Sequence, residues 1–107
     1  MLCIRNNEKI SEITMKPTAF TKCKLGGDWY KSELTIRFTP DEYYPDYSEV
    51  QAWIMENVDG KEFNIEEVVA VIYEHLFTMY LPAKLHIKND VINCRTHFNV
   101  TVEKWDR

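Results

Sequence analysis

Four kinds of side chain in this sequence have the chemistry to hold or transform a ligand. Cys23 stands just before the turn Gly26-Gly27-Asp28. A thiolate there is a soft nucleophile, whereas a lone cysteine beside a turn equally serves as a small packing residue. Glu66 opens a strongly helical stretch, where the helix dipole favours a carboxylate. Tyr43, Tyr44, Tyr47 and Trp53 form an aromatic run able to stack on a flat ring, although such runs more often pack or make interfaces, and Trp53 reads as packing. His75, His86 and His97 match no metal-binding spacing, so no metal is expected.

The element that must position Glu66 is the stretch Glu62 to Pro82. Ile65, Val68, Val69, Ile72, Leu76, Met79 and Tyr80 recur at three- and four-residue spacing, the signature of one helix face. Asn64 caps the start with Glu67 as its capping-box partner, which leaves Glu66 free for another task. Pro82 stops the helix because it has no N–H to give. A second row, Ala70, Tyr73 and Phe77, widens the apolar arc beyond what one sheet covers. The helix is therefore expected to pack on a sheet and to offer its flank to another subunit.

The rest of the chain reads as strands around a helix pair. Residues 1–12 are polar and mixed, an expected loose arm. Ile13 to Leu25 reads as a strand with Pro17 at its edge, and Gly26-Gly27-Asp28 turns it into Tyr30 to Phe38, where Leu34, Ile36 and Phe38 alternate with Glu33, Thr35 and Arg37. Pro40-Asp41 breaks this hairpin, and Tyr43-Tyr44-Pro45 reads as a linker. Asp46 and Glu49 open a first helix with Val50, Trp53 and Ile54 inward, which Asn57 to Gly60 close. A short strand with Leu85 and Ile87 inward precedes an Asn89-Asp90 turn, and a long last strand starts at Ile92. Residues 13–104 are read as one domain and 105–107 as a solvated tail. The order strand, strand, helix, helix, strand, strand predicts an α+β domain, an antiparallel sheet with two helices on one face. Such a sheet has open edges, which closure into an oligomeric barrel would remove.

Composition narrows the function classes. The chain has 107 residues, one domain with a modest core. Its net charge of −4 supplies no basic footprint for a nucleic-acid backbone. There is no run of eighteen apolar residues and no signal-peptide pattern, so a soluble, cytoplasmic protein without membrane partners is expected. Three cysteines without CxxC spacing argue for reduced thiols rather than disulfides.

That element order resembles the unit of the tunnelling-fold, or T-fold, proteins, whose subunits join their sheets into barrels and bind purine- or pterin-like rings at subunit interfaces, usually through a glutamate. The segment CKLGGDWYKSELTIRFTPD, Cys23 to Asp41, further resembles the start of the 7-cyano-7-deazaguanine reductases, the nitrile reductases of queuosine synthesis. Cys23, Gly27, Thr35-Ile36, Phe38 and Pro40-Asp41 fall in register without a gap. The match continues to Trp53 and, with one extra residue between Asn57 and Asn64, through Glu66 to Pro82. The resemblance implies that a cysteine thiolate adds to a nitrile to give a thioimide, that an aspartate seven residues on donates the proton, and that NADPH delivers two hydrides.

Residue by residue, the resemblance gives Cys23 as nucleophile and Glu66 as the ring-binding glutamate, with Arg95 at the position of an Arg-Gly-Gly segment. Thr96 and His97 replace its glycines. The position of the acid holds Tyr30, so Asp28 is the nearest candidate acid. Ile65 stands where the reductases have histidine. The aligned cofactor stretch Asp46 to Trp53 has Ser48 and Gln51 in place of lysines, which removes the charge partners of the NADPH phosphates. The favoured reading is a divergent homo-oligomeric protein that binds a purine- or pterin-like ring, with NADPH-dependent reduction weakened or lost. Its alternatives are an active nitrile reductase using Cys23, and a pterin-processing enzyme such as an aldolase or a three-histidine zinc synthase.

Overall fold

The computed structural model describes residues 3–93 and 98–105. Its elements are β1 (Cys3–Arg5), β2 (Ile13–Met15), β3 (Thr18–Lys22), β4 (Trp29–Thr39), β5 (Tyr43–Pro45), α1 (Tyr47–Asn57), α2 (Ile65–Tyr80), β6 (Lys84–Asn93) and β7 (Phe98–Trp105). β2 and β3 are one strand interrupted at Pro17. Both pair with β4 in a single register, Met15 opposite Ile36 and Thr18 opposite Glu33, and the Pro17 carbonyl still accepts from Leu34 N–H at 3.0 Å. Proline costs this strand only its own donor. The sheet runs β2/β3, β4, β6, β7, all antiparallel.

Alternation along β4 decides which face is covered. Tyr30, Ser32, Leu34, Ile36 and Phe38 are buried, and the residues between them are not. Leu34, Ile36 and Phe38 join Met15 and Ala19 of β2/β3, Leu85 and Ile87 of β6, Val50 and Ile54 of α1, and Val68, Val69, Ile72, Leu76 and Tyr80 of α2 in one core. Each fully buried Leu, Ile or Phe side chain is worth roughly 1.5–3 kcal/mol, so this layer of helix on sheet carries the fold. Phe38 meets Tyr80 edge to face, with ring centroids 6.2 Å apart at 81°.

The helix boundaries follow their expected causes. Asn64 N–H donates to Glu67 Oε1 at 3.0 Å, the second half of a capping box. Leu81 closes α2 in the left-handed region, at φ 47°, with Pro82 behind it. Met79, placed on the inner face by its spacing, is 40% exposed, because the helix turns that position past the sheet. Ala70 and Phe77 of the second row are exposed and Tyr73 is half-buried, so this chain alone leaves the helix flank uncovered.

Three readings change. The loose arm contains β1, which pairs with Tyr43–Pro45, so the expected aromatic linker is strand β5 of a separate two-stranded ribbon. Short polar-flanked runs of this kind give too little period-2 signal to be seen in sequence. The Asn89-Asp90 turn does not exist. Both residues lie inside β6, opposite Leu34 and Glu33, because a ten-residue strand is held on both sides by β4 and β7. Ile92, read as the start of the last strand, belongs to β6.

Candidate functional site

Cys23, Asp28 and Glu66 come from two neighbouring pieces of backbone. The first is the turn between β3 and β4. Gly27 N–H donates to the Cys23 carbonyl at 3.0 Å, and Cys23 N–H donates to the Asp28 carbonyl at 2.8 Å. Gly27 sits at φ +71°, where a side chain would be strained, which is why the chain needs glycine here. Cys23 and Asp28 are thus fastened at the base of one tight turn, both half-buried.

The second piece is the connection from α1 into α2. It lies along the outer edge of β3. Phe20 N–H donates to Asp59 Oδ1 at 2.8 Å, Gly60 N–H to the Phe20 carbonyl at 2.7 Å, Lys22 N–H to the Lys61 carbonyl at 2.9 Å and Phe63 N–H to the Lys22 carbonyl at 3.0 Å. Four hydrogen bonds close the sheet edge here and bring the start of α2 beside Cys23. Lys24 Nζ then bridges the turn to Glu67 Oε2 at 2.9 Å.

Tyr30 ties the two pieces together. It is 5% exposed, and its hydroxyl donates to the Phe63 carbonyl at 2.6 Å. Burial foremost pushes its phenol above the usual tyrosine range; the Thr21 hydroxyl is the next largest influence and pulls the other way, and Cys23, Glu66 and Glu67 add smaller upward pushes. Tyr30 was visible in the sequence only as the wrong residue at the acid's position. Its inward alternation with Leu34 was the signal that it belongs to the site.

The two first-turn glutamates divide the work. Glu67 is committed to Asn64 N–H and Lys24, and those two bonds, Lys24 first, hold its carboxyl below the usual range. Glu66 is exposed beside it. Arg95, and His97 of the histidine set, lie outside the described residues. Among the described residues no three His, Cys, Asp or Glu stand close enough to hold a metal ion, and no helix is long and apolar enough to cross a membrane.

The remaining candidates lie elsewhere. Trp53 stacks on His75 at 3.8 Å and 8°, locking α1 to α2, and burial lowers the His75 pKa from its ordinary 6.5. These two residues, with Ala70, Val71 and Glu74, line an open groove of about 540 Å³ on the helix flank. In the stretch aligned with the cofactor motif, Ser48 Oγ donates to Asp46 Oδ2 at 2.7 Å and Gln51 Nε2 reaches the Thr18 carbonyl at 3.5 Å. That stretch presents carboxylates of Asp46 and Glu49 and no cation, so it does not fit the phosphates of a dinucleotide.

An antiparallel sheet backed by two helices, with this strand order, is the tunnelling fold, and the chain has that fold. It matches the crystal structure of the archaeosine synthase QueF-Like in the apo form with a TM-score of 0.81, at 14% identity, over 91% of this chain and 94% of that one. It also matches a putative dihydroneopterin aldolase (FolB) from Vibrio cholerae O1 biovar El Tor str. N16961 with a TM-score of 0.69, at 15% identity, over 91% of this chain and 98% of that one. No protein-family model and no curated protein matches the sequence.

Proposed function

We propose that this chain binds a purine- or pterin-like ring at the start of α2, in an oligomer, with Glu66 as anchor and without a nicotinamide cofactor. The observation that carries the reading is the division of labour between Glu66 and Glu67. One carboxylate does the capping and the ion pairing, which ties the start of α2 to Lys24 on the turn after Cys23, and the adjacent one is left exposed. A carboxylate accepts two N–H bonds from the amidine-like edge of such a ring, and both are charge-assisted. Glu66 is the anchor of the ring, Cys23 is the group poised beside it, and Asp28 is the carboxylate on the same turn. The two structural neighbours are named for a deazaguanine-type and a pterin-type chemistry, which supports a flat bicyclic heterocycle as the ligand class.

The absence of cations in Asp46–Trp53 supports binding without NADPH, because phosphates would there meet two carboxylates. The edge of β3 is already bonded to residues 59–63, so assembly would use β2 and β7, the edge strands left open among the described residues. Mixing the protein with 7-cyano-7-deazaguanine and recording its intact mass tests the chemistry. A covalent adduct that Cys23→Ala abolishes makes Cys23 a nucleophile and returns the nitrile-reductase reading to first place. A ligand-induced rise in Tm without an adduct leaves a ring-binding module. No response of either kind removes this ligand class.

A further inference from the structure

The sheet beneath α2 holds buried polar groups that ring binding does not use. Thr21, Ser32 and Asn89 are fully buried, each at 0% exposure. Thr21 Oγ1, Ser32 Oγ and both side-chain polar atoms of Asn89 make no hydrogen bond to any described residue. The Thr21 hydroxyl lies near the Tyr30 phenol without forming a bond of ordinary geometry. Buried polar atoms in native proteins are nearly always paired, so these need a partner.

Strand register puts the three in a line. Ser32 on β4 stands opposite Ala19 on one side and Val91 on the other. Thr21 lies two residues beyond Ala19, and Asn89 two residues before Val91, so both share the inner face with Ser32 and are its diagonal neighbours. Diagonal neighbours are about 7–8 Å apart at most, too far for short side chains to meet but spanned by one water making two bonds. Ala19, the direct neighbour of Ser32 on the β3 side, is small, while Tyr30, Leu34 and Val91 flank the line.

We propose that Thr21, Ser32 and Asn89 bind a file of internal water, one molecule between Thr21 and Ser32 and one between Ser32 and Asn89. Water suits the site because hydroxyls and a carboxamide each donate and accept, giving every molecule the two to four polar partners it needs. Val68, Val69 and Ile72 of α2 are buried over this sheet, which shuts out a ring-sized ligand. No charged side chain is among the three, which disfavours an ion. The file runs toward Tyr30, whose hydroxyl holds Phe63 and hence the start of α2.

The test is water-to-protein magnetisation transfer in the isotopically labelled intact protein, read at the Asn89 side-chain amide and the Ser32 backbone N–H, together with urea unfolding of Ser32→Ala and Thr21→Val. The expected result is a cross-peak of the sign of slowly exchanging, immobilised water. Ser32→Ala should lose it and lower the urea midpoint, and Thr21→Val should lower the midpoint by less. A wild-type protein without such a cross-peak overturns the proposal. So does a raised midpoint in either variant, which would mean that the hydroxyls are buried dry. Neither outcome depends on a ring binding at Glu66, so a failure here is distinct from a failure of that reading.

Discussion

The inner face of the sheet has two ends, covered by the same helix but built from opposite materials. At one end Met15, Ile36, Phe38, Leu85 and Ile87 pack against Leu76 and Tyr80, and Phe38 and Tyr80 meet as edge and face. At the other end Thr21, Tyr30, Ser32 and Asn89 take the same inward positions with hydroxyls and a carboxamide. The apolar end is packed side chain against side chain. The polar end gives up apolar burial, and the turn that carries Cys23 and Asp28 leaves the sheet there, tied through Lys24 to Glu67 in the first turn of α2. Buried polar residues on a strand's covered face break the hydrophobic pattern, and this break lies at the same end of the sheet as the proposed ring site.

The sharpest break of this contrast is at the apolar end. Phe38→Ala empties a fully buried site beside Tyr80 and should cost about 3–5 kcal/mol, read as a fall in the urea midpoint without a gain of function. At the polar end Tyr30→Phe removes one hydroxyl from a 2.6 Å bond and leaves the Phe63 carbonyl unpaired, for about 1–3 kcal/mol. If the polar end serves the site, this smaller loss of stability should come with weaker ring binding, because that carbonyl directly precedes Asn64, the cap of α2. Loss of stability with unchanged binding would make Tyr30 a core residue only.

The glutamate pair sharpens the contrast further. Glu66→Gln should leave stability within about 0.5 kcal/mol, as at most exposed positions. Glu67→Gln should lower Tm slightly, since it loses the charge that pairs with Lys24 while the amide oxygen still accepts from Asn64 N–H. Its pH dependence follows from the same bonds. The folded pKa of Glu67 lies below the ordinary 4.5, so its contribution is complete above that value and is lost as pH falls through the folded value. Glu67→Gln should flatten the acid limb of a pH–stability curve.

The smallest effect belongs to the helix flank, away from both ends. Burial lowers the His75 pKa below 6.5 in the folded state, so the unfolded chain binds more protons just below that pH. Stability should decline slightly as pH falls below 6.5, and His75→Phe, which keeps a ring against Trp53, should remove that decline.

How much of this was legible in the sequence depended on period and length. The sixteen residues of α2 gave Asn64, Glu67 and Pro82 as boundaries because caps and breakers act locally. The alternation along β4 gave its buried face in full. Asn89 was misread because a polar residue before Asp90 is an ordinary turn signal, and only pairing with β4 and β7, thirteen or more residues away, overrides it. β1 and β5 are three residues each, below the length at which a period can be seen. The resemblance points to Cys23 and Glu66, and to Asp28 only as the acid nearest the position that Tyr30 fills; it says nothing of Thr21 and Ser32, since polar residues on the covered face of a strand carry no motif and reveal themselves only by burial.

The most direct test of the account is a calorimetric titration of 7-cyano-7-deazaguanine into the wild-type protein and Glu66→Gln, with NADPH titrated in parallel. The account predicts saturable binding of the ring to the wild type. Glu66→Gln should lose about 1.5–3 kcal/mol of that binding, the worth of a hydrogen bond to a charged group, and NADPH should give no heat of binding. Equal ring affinity in both proteins, or saturable NADPH binding, would contradict it.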